Sequence, residues 1–391
     1  MIFGPGYVYT VLTLCVYGIA LFSIAFFLIT AFISPSIVKK RKLENNVYPP
    51  VTILKPLKGA ETGLFENLKS FCEIDYPEFQ MILTVTTPDD PAAAVAQKIK
   101  EQFPHLDIQL VFSGNNPPLG LNPKINNVSS AQPFIKHDFL MMTDSDVRVQ
   151  KDFLKQMVEP FLDPNVGLVT SFYQGAQSRK FWPTMEALSI NAYFLPQALT
   201  AYAFGMRFAM GPAMLIRRDI FEEIGGFSYQ AKYLADDFIL GEAVKSVGLK
   251  IAASHSLIEC FTEDSGGLKY FKHQIRWAHT IRICRPSGYL GLLFLHGFSL
   301  LALLIIPFGV NFTALLLMTA VILAKFLAQE RILNAAGIKS NWKSFFLLPI
   351  SELIIFCAWV LGWRRQPVSW RGKTYSFPQS NTEPVLTAAE R

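Results

Sequence analysis

Asp144-Ser145-Asp146 ends an apolar run, Asp138-Phe139-Leu140-Met141-Met142-Thr143, that reads as a strand. Two carboxylates at i and i+2 on the turn beyond a strand can share one hard divalent cation, and such a cation can hold a diphosphate. Acidic pairs are common in turns, so this motif gains its weight from its company. Asp89-Asp90 follows the strand-like run 81–85. Asp236-Asp237 opens a helical run at 238–247, and His273-Gln274-Ile275-Arg276-Trp277 comes after it. Asp144 and Asp146 suit such a cation, one ligating directly and the other holding ribose or a bound water. Asp89 and Asp90, beside Pro88 and Pro91, are either a helix N-cap or a hydrogen-bonding site for a nucleotide base or ribose. Asp237 is a candidate general base. Burial and the like charge of Asp236 would raise its pKa; the plainer reading is an N-cap pair. Lys124, in Gly120-Leu121-Asn122-Pro123-Lys124-Ile125-Asn126-Asn127, is a diphosphate contact or a solvated loop lysine. Arg276 can clamp a diphosphate, and Trp277 can stack on a sugar. Alternatively both sit at a membrane surface.

The elements that must position these groups divide by composition. Of 391 residues, 51% are hydrophobic and only 17% charged, too apolar for an ordinary soluble domain. The excess lies at the two ends. Residues 7–33 are 27 residues without a charge, enough to cross a bilayer as a helix. No basic n-region or small-residue cleavage site marks a signal peptide. Lys39-Lys40-Arg41-Lys42 follows and places the next segment in the cytoplasm. The net charge of +6 has no basic stripe interleaved with exposed aromatics, so no nucleic-acid partner is expected; anionic headgroups are the better counterpart. Cys15, Cys72, Cys260, Cys284 and Cys357 are scattered without C-x-x-C spacing, against a disulfide framework or zinc site.

Between the ends, strand-like runs at 51–55, 81–85, 108–112, 138–142 and 166–172 alternate with helical spacing at 64–72, 91–102 and 152–161. This predicts a mostly parallel α/β sheet, which binds ligands beyond its strands' carboxyl ends. Residues 181–204 are a buried helix pair or a hydrophobic wall for a lipid. Residues 266–285 carry apolar side chains at 268, 271, 275 and 278 and basic ones elsewhere, as a helix lying in the headgroup plane does. Residues 288–329 fit two spans with a break near Pro307-Phe308-Gly309. A third apolar stretch, 345–363, contains Pro349 and Glu352. Three crossings would put the basic residues Arg364, Arg365, Arg371 and Lys373 outside, against the charge rule. One of the three is therefore expected to be re-entrant or interfacial, with 345–363 the suspect and the tail cytoplasmic. The predicted division is 1–35 membrane helix, 36–265 α/β domain, 266–287 interfacial helix, 288–363 membrane region and 364–391 polar tail.

The order of these motifs resembles the ceramide glucosyltransferase family, including its bacterial relatives that glycosylate hopanoids. The likeness runs from about residue 49 to about residue 286. It is carried by Ile53-Leu54-Lys55-Pro56-Leu57-Lys58-Gly59, Asp75-Tyr76-Pro77, Asp89-Asp90-Pro91-Ala92, the 120–127 segment and Thr143-Asp144-Ser145-Asp146-Val147-Arg148-Val149. Val166-Gly167-Leu168-Val169, Ala235-Asp236-Asp237 and Arg276-Trp277 complete it. The resemblance implies an inverting enzyme on a GT-A fold, Rossmann-like with a mostly parallel sheet, using a UDP-sugar and a divalent cation, Mg²⁺ or Mn²⁺. By position Asp90 matches the first family aspartate, with Asp89 adjacent. Asp144 matches the second, Asp146 completes the D-x-D, and Asp237 matches the base. Asp236 stands where Glu is frequent. Arg276 and Trp277 end the Q/R-x-x-R-W motif, whose first position here is His273, counted with the nucleotide-sugar contacts. Trp370-Arg371-Gly372-Lys373 resembles a cytoplasmic tail signature.

The implied activity is transfer of a hexose from a UDP-sugar to a lipid hydroxyl at the cytoplasmic face of a membrane, a bacterial inner membrane by the hopanoid branch. UDP-glucose to ceramide leads. The 120–127 segment is nearer the ceramide branch and His273 nearer the hopanoid branch, which makes a hopanoid N-acetylglucosaminyl transferase the alternative. A processive polysaccharide synthase would need a more polar pore than the terminal segments offer. A polytopic transporter or scaffold would need more intramembrane charge than Lys325 and Glu352.

Overall fold

Val51–Pro56 is buried at every position, as a strand covered on both faces must be. It is the first of a set that builds one sheet in the computed structural model, which describes residues 5–40, 43, 47–114, 116–264, 266–364, 368–370 and 373–375. The strands are β1 (Val51–Pro56), β2 (Phe79–Val85), β3 (Asp107–Phe112), β4 (Phe139–Thr143), β5 (Val147–Arg148), β6 (Val166–Thr170), β7 (Tyr173–Gly175), β8 (Ala213–Arg217), β9 (Lys250–Ala253) and β10 (Ile258–Cys260). Seven of them form a sheet in the order β3-β2-β1-β4-β8-β6-β9. All pairs are parallel except those of β8, which runs antiparallel to both β4 and β6. Val51 pairs with both Phe79 and Phe139, so β1, β2 and β4 end level at one rim. β8 starts from that rim, with Ala213 opposite Thr143. A small sheet, β5-β10-β7, lies next to β4 in the chain. The predicted strands and the helices Leu64–Cys72 and Pro91–Gln102 stand where the spacing put them. The run at 152–161 is α-helical only over Phe153–Val158 and tightens to a 3₁₀ turn at Glu159–Leu162, where Pro160 enters.

The chain divides into two compact units. This sheet belongs to the one formed by the described parts of Lys40–Ala176, Met206–Glu263 and Gln366–Arg391. Its core gathers Leu54, Ile82, Leu140, Met214, Leu168 and Leu240. The other unit comprises the described parts of Met1–Lys39, Gln177–Gly205 and Asp264–Arg365. Residues 177–205, inside the predicted 36–265 segment, thus pack with the apolar helices. Met185, Leu188 and Ala192 share a core with Val16, Ala20 and Phe298, and Thr30 and Thr200 hydrogen-bond at 2.7 Å.

In that second unit Tyr9–Val38, Phe312–Ala335 and Trp342–Leu361 are long and apolar enough to cross a membrane. Pro286–Leu295 and Gly297–Phe308 make a further pair bent by 61°. We read the chain as a membrane protein. The break at Gly309 falls where Pro307-Phe308-Gly309 predicted it, with Gly309 at φ +78°. The sharp bend, however, is at His296 in the first of the three segments rather than in 345–363. Glu352 has a physical reason to sit in a straight helix: Lys325 and His296 both pair with it inside the unit. Gly297 is required at the bend, since a Cβ there would lie 2.7 Å from Ala20 Cα. The amphipathic segment forms the helix Gly267–Cys284, which buries Tyr270, Gln274 and Ala278. Of the predicted apolar stripe, Ala278 is thus buried, Phe271 and Ile275 are half-buried and Leu268 is 68% exposed. Arg41, Lys42, Arg365, Arg371 and Gly372 lie outside the described residues.

Candidate functional site

Lys55 is the charged exception inside β1. Its side chain is fully buried, its ammonium donates to the Asp144 carbonyl at 2.8 Å, and it lies 3.7 Å from the centre of the Phe71 ring. Burial pulls its pKa down to about 7 against the raising effect of Asp144 and Asp146. β4 ends at Thr143, and the Asp144-Ser145-Asp146 turn is then pinned from three sides. Asp144 N donates to Pro212 O (3.3 Å), Asn67 Nδ2 to Ser145 O (3.3 Å) and Phe261 N to Asp146 O (2.8 Å). Asp146 Oδ1 is buried with no hydrogen-bond partner among the described residues. Burial, then the neighbouring Asp144 and Glu61 carboxylates, push the Asp146 carboxyl up to about 7.

The 120–127 segment delivers a cation to this turn. Asn122 caps the short Pro123–Val128 helix, its Oδ1 accepting from Lys124 N (2.9 Å) and Ile125 N (3.2 Å). Its Nδ2 donates to Tyr233 O at 2.9 Å and its backbone N–H to Ala231 O at 2.9 Å. Gly120 lies so close to Ala231 that a Cβ would sit 2.4 Å from the Ala231 carbonyl oxygen. So fastened, Lys124 places Nζ 2.8 Å from Asp144 Oδ1 and 3.3 Å from Asp236 Oδ2, the latter an ion contact without hydrogen-bond geometry. Burial opposes its charge, but Asp144 and Asp236 hold its pKa above the usual lysine value.

Asp236 and Asp237 lie inside the first turn of the Asp236–Ser246 helix, and the N-cap is Ala235, which makes no side-chain cap. Asp237 Oδ2 accepts from Gly211 N (2.9 Å) and Oδ1 from Phe238 N (2.7 Å). Glycine at 211 suits that approach, because a Cβ would lie 3.3 Å from Asp237 Oδ2. Burial, then Asp236, raise the Asp237 carboxyl to about 6, with Lys124 pulling the other way. Lys124→Met is therefore expected to do two things. It strands the buried Asp236 carboxylate and leaves the half-buried Asp144 without its partner, costing roughly 3 kcal/mol of stability, read as a fall in Tm. It also removes the cation that lowers the Asp237 pKa, so the acid limb of any Asp237-dependent rate moves to higher pH.

Asp90 is a working helix cap: its Oδ1 accepts from Ala92 N at 2.9 Å and from Gly59 N at 2.8 Å. It thereby ties the segments leaving β1 and β2 at the same rim as Asp144, while Asp89 is exposed. Within this unit the structure therefore brings Lys124, Asp144, Asp146, Asp236 and Asp237 together, with Asp90 along the rim. His273, Arg276 and Trp277 lie on the helix of the other unit. His273 Nδ1 is 2.9 Å from Glu186 Oε1, and the Trp277 ring packs on His273 and Phe194. Glu61 and Gly211 lie beside this rim outside every quoted motif, while Lys55 and Asn122 stand inside family motifs that gave them no role. For Lys55 the signal was a lysine in the middle of an apolar strand.

A divalent cation fits the rim. Asp146 Oδ1 is an orphaned buried carboxylate oxygen facing a second carboxylate, and both are hard oxygen donors. Among the described residues no three His, Cys, Asp or Glu side chains converge as a metal cage. The chain would thus supply one or two oxygens, as Mg²⁺ sites completed by water and phosphate do.

Residues 11–382 match the family model described as glycosyl transferase family 21. The chain belongs to glycosyl transferase family 21. Two proteins from Caenorhabditis elegans are similar to it: ceramide glucosyltransferase 3, 26% identical over 212 residues (54% of this chain, 46% of that protein), and ceramide glucosyltransferase 1, 24% identical over 207 residues (53% and 44%). A ceramide glucosyltransferase of Komagataella phaffii is 33% identical over 111 residues, 28% of this chain and 22% of its own. The matches thus span less than half the length of these curated relatives. Among solved structures, a mannosyltransferase from Pyrobaculum calidifontis in complex with GDP-Man and Mn²⁺ aligns with a TM-score of 0.51 at 17% identity, over 92% of this chain and 99% of that one. The fold of this family 21 member is accordingly GT-A, with a mostly parallel sheet and apolar helices towards both ends.

Proposed function

We propose that the protein is a membrane glycosyltransferase that moves a hexose from a UDP-sugar to a lipid hydroxyl, glucose to ceramide with inversion. The observation that carries this is the ion chain Asp144–Lys124–Asp236 on one sheet rim, next to an Asp237 held up at about 6. Such a rim can hold a nucleotide diphosphate and also present a base. Asp144 and Asp146 would hold the cation, which supplies positive charge against the leaving diphosphate. Lys124, buried and kept protonated by its two carboxylates, adds fixed positive charge in a dry site, where it costs no reorganisation. Asp90, or Asp89 beside it, receives the base or ribose beyond β2. Asp237, with a carboxyl raised to about 6 and so mostly ionised at pH 7, takes the acceptor hydroxyl's proton as the oxygen attacks the anomeric carbon. Its two backbone donors fix the carboxylate plane. Roles for Arg276 and His273 at the donor and for Trp277 at a sugar rest on the family motif. A cytoplasmic catalytic face follows from the charge rule, an interfacial setting of the Gly267–Cys284 helix from its apolar and basic spacing, and a bacterial inner membrane from the hopanoid resemblance.

The test is the purified protein with Mn²⁺, a panel of UDP-sugars, and ceramide or a polyhydroxylated hopanoid, read by lipid mass spectrometry. Hexosylceramide from UDP-glucose is the expected product. Product only from UDP-N-acetylglucosamine and hopanoid would move the protein to that branch. Polymer would make it a synthase, and no product from any pair would leave a transporter or scaffold.

A further inference from the structure

Within the helical unit a cavity of about 50 Å³ is walled by Tyr193, Phe194, Gln197, Trp277, Tyr289 and Trp359, among others. It has room for a small polar group and its adjoining methylenes, not for a whole lipid. Most of the wall is apolar. Ser189 and Gln274, also on the wall, are already satisfied: Ser189 Oγ donates to Glu186 O at 2.7 Å, and Gln274 Nε2 donates to Glu186 Oε1 at 3.0 Å and Ser189 Oγ at 3.2 Å. Tyr193 and Gln197 are different.

The Tyr193 hydroxyl is 2.7 Å from His296 Nε2. His296 Nδ1 in turn is 3.2 Å from Glu352 Oε1, and Lys325 pairs with the other oxygen of Glu352. His296, Glu352 and Lys325 are all buried. An ion pair with Lys325 keeps Glu352 a carboxylate, which only accepts hydrogen bonds. Nδ1 must then carry the proton and donate to it. That fixes the neutral tautomer, so Nε2 accepts and Tyr193 must give it the hydroxyl proton. The Tyr193 oxygen is left with lone pairs alone. The buried charges thus turn a two-way hydroxyl into an obligatory acceptor on the cavity wall. One helical turn on, Gln197 Nε2 is buried with no well-formed hydrogen bond among the described residues, only a loose approach to the Tyr193 hydroxyl. It is a donor without a full partner.

We propose that this cavity is a selectivity site for the secondary amide of an N-acyl lipid acceptor, whose N–H donates to Tyr193 Oη and whose C=O accepts from Gln197 Nε2. One acceptor and one donor on an otherwise apolar wall match an amide flanked by methylenes. An ester does not match, because it has no N–H. A site built to bond a group rejects the analogue lacking it by leaving its own polar atoms unpaired. The proposal deepens the lipid-acceptor reading above and rests on it.

The experiment uses the full chain in detergent with Mn²⁺ and UDP-glucose. Acceptors are a short-chain ceramide and its O-acyl ester counterpart, and a parallel thermal-shift series with each lipid omits the donor. The wild type is expected to prefer the amide about tenfold or more in kcat/KM. Tyr193→Phe should bring that ratio towards one, and Gln197→Leu, which removes the donor to a carbonyl that both lipids carry, should lower kcat/KM for both several-fold, each with the KM for UDP-glucose unchanged. Gln197→Leu keeps the test decisive if Tyr193→Phe folds poorly. Equal use of amide and ester by the wild type, an amide preference intact in Tyr193→Phe, or no loss on either lipid in Gln197→Leu overturns the site. If no sugar is transferred at all, the thermal series decides: stabilisation by the amide lipid but not the ester, lost in both variants, upholds the cavity while the transferase reading falls. No such stabilisation ends both.

Discussion

Asp237→Asn is expected to lower sugar transfer roughly 10³-fold while UDP binding changes less than about threefold. The substitution is nearly isosteric and leaves Asp144, Asp146 and Lys124 in place. Its amide can still accept from Phe238 N or Gly211 N, though not from both. What it loses is basicity at the atom proposed to take the proton. The pH profile gives the independent check. Burial and Asp236 raise the wild-type Asp237 carboxyl to about 6. The active form is the anion, so the rate should fall as pH drops through about 6 and level off above it. The residual activity of Asp237→Asn should show no such limb. Isothermal titration with UDP and Mn²⁺ separates the alternatives. If the variant loses UDP binding in step with activity, Asp237 belongs to the nucleotide site and another group is the base.

The sequence displayed the sheet better than the site. The runs behind β1 to β4 and β6 are apolar and bounded by Pro, Gly or Asp, so their type and nearly their ends were legible. β8 was not, because Ala213–Arg217 is a brief run that enters antiparallel between two parallel neighbours, and alternation with helices does not signal such an insertion. The acidic pairs were visible as residues. Their grouping depends on contacts far apart in the chain, such as Asn122 with Tyr233 and Lys124 with Asp236. For the same reason Lys124, a loop lysine by its surroundings in sequence, is a buried bridge. Asp90 shows the reverse, a cap as its neighbours Pro88 and Pro91 suggested. Residues 181–204 were apolar enough to announce burial but not its address, since any apolar helix face satisfies that pattern. Glu352 read as a flaw in a span because its partners, Lys325 and His296, lie 27 and 56 residues away.

Removing divalent cations should abolish transfer. EDTA is expected to reduce the rate at least about 100-fold, with Mn²⁺ or Mg²⁺ restoring it, and Asp144→Asn should not be rescued by either. The binding step can be read without turnover. Without a cation, Asp146 is held up to about 7 by burial and by its like-charged neighbours. Below that pH a proton occupies the carboxylate that a metal would need, and above it the proton is gone. Mn²⁺ affinity, measured by electron paramagnetic resonance with UDP present, should therefore climb as pH rises from 6 to 8 and release a proton on binding. In Asp146→Asn that climb should flatten. The same burial predicts the sign of a stability change. A carboxyl whose pKa is raised on folding from 3.8 to about 7 costs stability that sets in as pH rises above 3.8, grows up to about 7 and stays constant beyond. Metal-free Asp146→Asn should accordingly melt higher than the wild type at pH 8, with the difference shrinking towards pH 5. A variant that melts lower at pH 8 would show that Asp146 holds the turn together rather than being kept there, at a cost, for a cation. EDTA-resistant transfer would assign the leaving diphosphate to Lys124 and its neighbours alone.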